Sequence, residues 1–120
     1  MAGEEREQLG ISPEMRQCID ATSACYTACA ETLHYSLDAG VGFSDVRHLR
    51  LLIDCCEVCQ TAQNALLRAS ELGVMLAVVC AEACEKAAES CRLIDASNEH
   101  LATCAEVCDR TAESCRQLAI

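Results

Sequence analysis

Apolar and small side chains recur at alternating three- and four-residue spacings along four long stretches, with charged or polar residues between them. A period near 3.5 lays those positions along one stripe of an α-helix and predicts helices that pack as in a coiled coil. The first stripe is Met15, Cys18, Thr22, Cys25, Cys29, Thr32 and Ser36, on a helix expected at about 13–38. The second is His48, Leu52, Cys55, Cys59, Ala62 and Leu66, at about 45–68. Gly73, Ala77, Cys80, Cys84, Ala87 and Cys91 mark a third at about 71–94, and Leu101, Cys104, Cys108, Thr111 and Cys115 a fourth at about 98–118.

Punctuation between the stripes supports these bounds. Ser12-Pro13-Glu14 reads as an N-cap, a first helical residue and a favourable first-turn acid, and Gly40 is placed to end the first helix in a left-handed C′ conformation. Ser44 and Ser70 are the expected caps of the second and third helices, and Asp95-Ala96-Ser97-Asn98 is a short break. Four long amphipathic helices with short links predict an all-α, antiparallel up-down-up-down four-helix bundle. It forms one domain over residues 12–120, after an acidic lead-in at 1–11. All four stripes then meet in one cysteine-lined core.

A repeat sharpens the picture. CAEACEKAAESCR, Cys80 to Arg92, returns 24 residues later as CAEVCDRTAESCR, Cys104 to Arg116, with 9 of 13 positions identical. Each copy carries cysteine at i, i+4 and i+11, which fall within about 40° on a helix. Two copies make a helical hairpin; a solenoid needs more.

Composition changes the question from fold to chemistry. The 120 residues include 12 cysteines and no tryptophan, and Tyr26, Tyr35 and Phe43 are the only aromatics. The net charge is −10 without any Lys/Arg cluster, so neither nucleic acid nor an anionic membrane surface is an expected partner. No apolar run reaches the ~18 residues of a membrane span. The acidic start, MAGEEREQLG, lacks the apolar core of a secretory signal, which predicts a cytoplasmic protein with reduced thiols. Helical CxxxC pairs agree, because i and i+4 Cβ atoms sit about 5–6 Å apart and a disulfide needs about 3.5–4.5 Å.

Any single cysteine here could be a small hydrophobe filling space. Eleven on facing stripes are different, since valine or leucine would fill the core better and resist oxidation. The exception is Cys56, about 100° around the helix from Cys55. It forms the only CxxC, Cys56-Glu57-Val58-Cys59, a weak redox or zinc signal beside the simpler reading of a thiol at a helix interface.

Charge helps choose a metal. Thiolate is the ligand form, and a Zn²⁺ held by four thiolates leaves two uncompensated negative charges, unfavourable in a buried core. No stripe contains Lys or Arg to offset them. Cu(I) replacing one proton per thiol leaves the core neutral, and soft thiolates select it. Linear S–Cu–S coordination needs sulfurs about 4–4.6 Å apart, taking the ~2.3 Å zinc–sulfur bond as a guide. Cys25/Cys29, Cys55/Cys59, Cys80/Cys84 and Cys104/Cys108 would each clip an ion, with Cys18, Cys91 and Cys115 bridging helices. Other readings remain open: a zinc or cadmium buffer, an iron–sulfur protein, a thiol redox protein centred on Cys56 and Cys59, or a bundle that binds nothing.

DCCEVCQTA, the two repeat copies and CIDATSACYTACAETL together resemble the cytosolic branch of the four-helix-bundle copper storage proteins, over about residues 15–118. The resemblance implies many Cu(I) ions on core thiolates, a homotetramer, and copper storage or detoxification rather than catalysis. A protein that delivers or accepts copper would be the partner. Cysteine is common in that family where this chain has Thr22, Ser36, Ala87 and Thr111, which implies a reduced capacity.

His48 and His100 both project toward the stripe at the end shared by the first and third links, predicting a mouth with Cys91 and Cys104 next in line; solvent-facing histidines near helix caps are the alternative. Glu31 and His34 spell ExxH, an iron-ligand motif in ferritin-like bundles, but both are expected to point away from the thiols. Met15 lies on the stripe, as core filler or thioether ligand; Met75 points away.

Overall fold

The computed structural model describes residues 10–40 and 42–119. They form four helices: α1 (Pro13–Ala39), α2 (Val46–Leu67), α3 (Gly73–Asp95) and α4 (Glu99–Leu118). No strand occurs among the described residues. Each helix packs on its neighbours in sequence, and α4 closes the ring against α1, in a body of 50 × 24 × 21 Å. This is the expected antiparallel bundle. Residues 1–9 of the acidic lead-in lie outside the described residues, and Ile11 is buried in the core.

Local chemistry explains where the helices start. Ser12 Oγ accepts from the Met15 amide at 3.1 Å with Pro13 at the first turn, and Asn98 Oδ1 accepts from Leu101 at 3.1 Å. The α2 cap is Asp45 rather than the expected Ser44: its carboxylate accepts from His48 at 3.0 Å, while the Ser44 hydroxyl turns back to donate to the Gly40 carbonyl. The expected Ser70 cap also differs. Its hydroxyl accepts from Leu72 within a turn, and α3 begins only at Gly73, without a side-chain cap.

The preceding turn supplies the reason. Ala69, at φ 52°, donates to the Leu66 carbonyl, and Ser70 to that of Ala65. This pattern satisfies the last carbonyls of α2 by reversing the chain, and it leaves the Ser70 hydroxyl on the Leu72 amide, ahead of the first turn of α3. Gly73 then closes on α2, where an added Cβ would stand 3.0 Å from Leu66 Cδ2. Gly40 ends α1 at φ 83° and ψ −146°; φ is positive, as expected, but ψ lies outside the left-handed helical region.

Every stripe residue is buried except Met15, which is half-buried. Alanines 65, 81, 88, 105 and 112 widen the buried faces, and their small size lets the backbones approach closely enough for sulfurs to meet. The repeat is visible as local twofold symmetry in the α3–α4 hairpin. Arg116 binds Glu85 at 2.9 Å, and its counterpart Arg92 binds Asp109, the counterpart of Glu85. These exposed pairs stabilise by about 0–1 kcal/mol each; their value is in setting the register of α3 on α4.

Candidate metal centre

Eleven thiols are buried and all twelve cysteines are free. Eight form a connected central group. Cys25 of α1 lies 3.8 Å from Cys55 of α2, 3.7 Å from Cys84 of α3 and 3.7 Å from Cys108 of α4. Cys29 lies 3.9 Å from Cys104 and 3.7 Å from Cys108. Toward the other end, Cys59 lies 3.6 Å from Cys80 and 4.0 Å from Cys84. Beyond that group, Cys18 and Cys115 approach to 3.3 Å.

The shortest of these contacts cross between helices. The i,i+4 pairs Cys55/Cys59 and Cys80/Cys84 stand at 4.0 Å, at the near edge of the separation expected for a linear clip. Cys25, Cys55 and Cys84, from three different helices, make a triangle with sides of 3.7–3.8 Å. Its centre is about 2.2 Å from each sulfur, close to the ~2.3 Å zinc–sulfur bond. Cys55, Cys59 and Cys84 make a second triangle, and Cys59, Cys80 and Cys84 a third, each sharing an edge with the one before. Two sets of four sulfurs, Cys25/Cys29/Cys55/Cys108 and Cys25/Cys55/Cys59/Cys84, lie within 4.8 Å of one another. Three-coordinate seats therefore accompany the two-coordinate ones.

The twofold relation extends to the sulfurs, pairing Cys80 with Cys115 and Cys104 with Cys91. Contact splits their acidity. Hydrogen bonds from Cys108, Cys29 and Cys91 pull Cys104 below the ordinary thiol range; the bond Cys91 donates to Cys104, and then burial, push Cys91 above it. Such a core cannot shed all its protons unless cations replace them, because no Lys, Arg, Asp or Glu is buried among the described residues. The buried polar residues are Thr22, Thr32, Ser36, His48, Ser90 and Thr111.

The two ends of the thiol file differ. Past Cys18 and Cys115 the core closes with Ile11, Leu66, Gly73 and Ala77, all apolar and buried. Past Cys91 and Cys104 it turns polar. His48 is 1% exposed, with Nδ1 2.8 Å from Ser90 Oγ and Nε2 3.2 Å from Ser36 Oγ. His100 is exposed and stacks on Tyr35 at 4.1 Å. One histidine is thus an interior residue and the other a surface one. Ser90 stands one position off the predicted stripe, and its partnership with His48 had no signal in the sequence.

Burial holds the His48 imidazole below its usual range, against upward pulls from Cys104 and Asp45. The unfolded chain accepts a proton there that the native state resists, so this contribution to stability is present above the unfolded pKa and lost as pH falls. Urea midpoints of the reduced, metal-free protein should fall from pH 7.5 to 5.5, with His48 contributing up to about 1.4 kcal/mol per pH unit below about 6.5. The His48→Gln chain should show a shallower fall; an identical slope would remove His48 as the cause.

The remaining candidates fall outside the thiol group. Cys56 is half-buried and directs its thiol at the Tyr26 carbonyl, 3.7 Å away. Glu31 and His34 are both exposed, and His34 pairs with Asp38 at 3.3 Å, so ExxH assembles no site. Met75 is exposed.

Comparison with known proteins decides the assignment. The copper storage protein family matches residues 11–120. The chain belongs to that family. Its fold is shared by Cu(I)-bound copper storage protein BsCsp3, with a TM-score of 0.83 and 28% identity over 89% of this chain and 99% of that one. Apo-Csp3 from Bacillus subtilis superposes with a TM-score of 0.76 at 28% identity, covering 88% and 98%. The Nmul_A1745 protein of Nitrosospira multiformis gives 0.81 at 34% identity, covering 88% and 94%. No curated protein matches the chain in sequence. The family's role is copper storage, and the buried thiols of this member suit several Cu(I) ions as its cargo.

Proposed function

We propose that the chain stores Cu(I) in the cytoplasm at about one ion per buried thiol, and that it catalyses no reaction. The ligands are Cys18, Cys25, Cys29, Cys55, Cys59, Cys80, Cys84, Cys91, Cys104, Cys108 and Cys115, with His48 and His100 outside the thiol file. The supporting observation is an interior with eleven thiols and, among the described residues, no buried formal charge to offset a multivalent site. Cu(I) exchanged for H⁺ preserves that neutrality; four-thiolate Zn²⁺ does not. The test is anaerobic copper loading with thiols and metal quantified on one sample. No helix among the described residues is long and apolar enough to cross a membrane.

The proposal includes a homo-oligomer. The start of α3 exposes Leu72, Val74, Met75, Val78 and Val79, an apolar strip of the kind that marks an interface. Met75→Glu combined with Val78→Glu should convert the assembly to monomers in sedimentation velocity while leaving helicity intact. An assembly unchanged by both charges would put the interface elsewhere.

A further inference from the structure

Cys56 is the one cysteine of the twelve that is not buried. It follows Cys55 on α2, about 100° around the helix from the thiol stripe, which turns its side chain into the seam between α1 and α2 instead of onto the bundle axis. There its thiol donates to the Tyr26 carbonyl at 3.7 Å. Cys29 lies three residues further along α1, and its thiol hydrogen-bonds to Cys56. Cys29 is itself a member of the central group, 3.9 Å from Cys104 and 3.7 Å from Cys108. A chain of sulfur contacts therefore runs from the seam into the file.

The seam is open to solvent at that point. A groove of about 510 Å³ borders Cys56, apolar along Tyr26, Ala30, Leu33 and Ile53 and polar at Glu57 and Gln60. That size and that mixture of walls suit a small molecule. The groove sits at mid-length, since Tyr26 and Cys56 are near the middle of Pro13–Ala39 and of Val46–Leu67. None of its lining residues belongs to the polar layer of Ser36, His48 and Ser90, to the Tyr35–Phe43 pair, to the apolar closed end or to the exposed α3 strip.

We propose that Cys56 is a relay thiol: at the flank of the bundle it exchanges Cu(I) with a small thiol carrier seated in the groove, passes the ion to and from the file by way of Cys29, and stores none itself. The proposal rests on the copper-storage reading. Each step is a ligand exchange. In the first, a Cu–S bond to Cys56 forms, the Cu–S bond to the carrier breaks, and the Cys56 proton leaves on the carrier's sulfur. In the second, copper moves to Cys29 and the Cys29 proton moves to Cys56, which is again a thiol and ready for the next ion. Copper stays Cu(I) throughout, and every move trades one cation for one proton, so the interior is never left charged. Run backwards, the same steps hand copper to a free thiol outside. A twelfth thiol set beside the file, in contact with one of its members and with solvent, is the arrangement such a relay needs.

The experiment offers the metal-free chain Cu(I) held by excess reduced glutathione, without oxygen, and measures copper on the protein after rapid desalting at timed intervals, so that rate and end point are read separately. Cys56→Ser keeps a donor for the Tyr26 carbonyl and should lower the initial rate by about tenfold or more at an unchanged end point, because it removes the thiol held beside Cys29. Ala30→Phe fills the groove, leaves every thiol in place and should slow uptake in the same direction, by about threefold or more. Wild-type rates in the Cys56→Ser chain overturn the relay.

A measurement on the unaltered chain needs no variant to fold. Iodoacetamide added to fully loaded protein should modify Cys56 alone, because a relay stands empty once the file is full; protection of Cys56 by copper would make it a storage ligand and overturn the proposal. Failure of the storage reading is distinct, since it would appear as a wild-type end point of one or two ions whatever the rates.

Discussion

Anaerobic Cu(I) added to the reduced protein should saturate at about ten to eleven ions per chain, near one per buried thiol, and release about one proton per ion at neutral pH. Both numbers follow from charge. The core contains eleven buried thiols and, among the described residues, no buried side chain carrying a formal charge of either sign, so each monovalent cation must displace one proton if the interior is to remain neutral. Zinc would behave otherwise, stopping at two or three ions and releasing about four protons with each. Loading should also raise the thermal midpoint by at least about 20 °C, because each site filled far above its dissociation constant adds several kcal/mol that the unfolded chain cannot fully match. Titration with a colorimetric chelator, pH-stat and calorimetry read the three outcomes independently. Saturation at one or two ions would falsify multi-ion storage.

The second large effect comes from the centre of the sulfur group. Cys84 is a vertex of all three sulfur triangles, and Cys25 contacts three thiols on three other helices. Cys25→Ala with Cys84→Ala should therefore remove about four or more ions, beyond the two thiols deleted, because loss at linked sites is not additive. Cys18→Ala with Cys115→Ala deletes the same number of thiols at one end, where Cys115 meets the central group through Cys80 alone, and should remove about two ions at most. Each pair of truncations leaves small core voids that weaken the metal-free protein by a similar amount, about 1–3 kcal/mol, so differential unfolding does not explain the contrast. Equal losses from the two double variants would show independent sites. In the opposite direction, Thr22→Cys with Thr111→Cys is the change that would add further thiols between the end pair and the centre.

Nearly all of the bundle was legible in the chain. A 3.5-residue stripe survives translation into structure because helix geometry is local, and each stripe from Cys18 to Cys115 is buried as its spacing implies. Caps were less legible, because Ser44 and Asp45 are both able caps and the choice depends on how the Gly40 turn delivers the chain. Ser70 failed as a cap for a similar reason: the turn after α2 gives its hydroxyl to the Leu72 amide, ahead of the first turn of α3.

The amino-acid sequence determined the helices, the inward-facing thiols and the neutral interior, since periodicity and side-chain charge are properties of the chain itself. Tertiary structure decided which sulfurs touch, joining Cys25, Cys55 and Cys84 across three helices. It also separated His48 from His100, burying one between two serines and stacking the other on Tyr35 at the surface. Those outcomes depend on the axial register of one helix against another, and register is fixed by packing between distant residues, which no local spacing encodes.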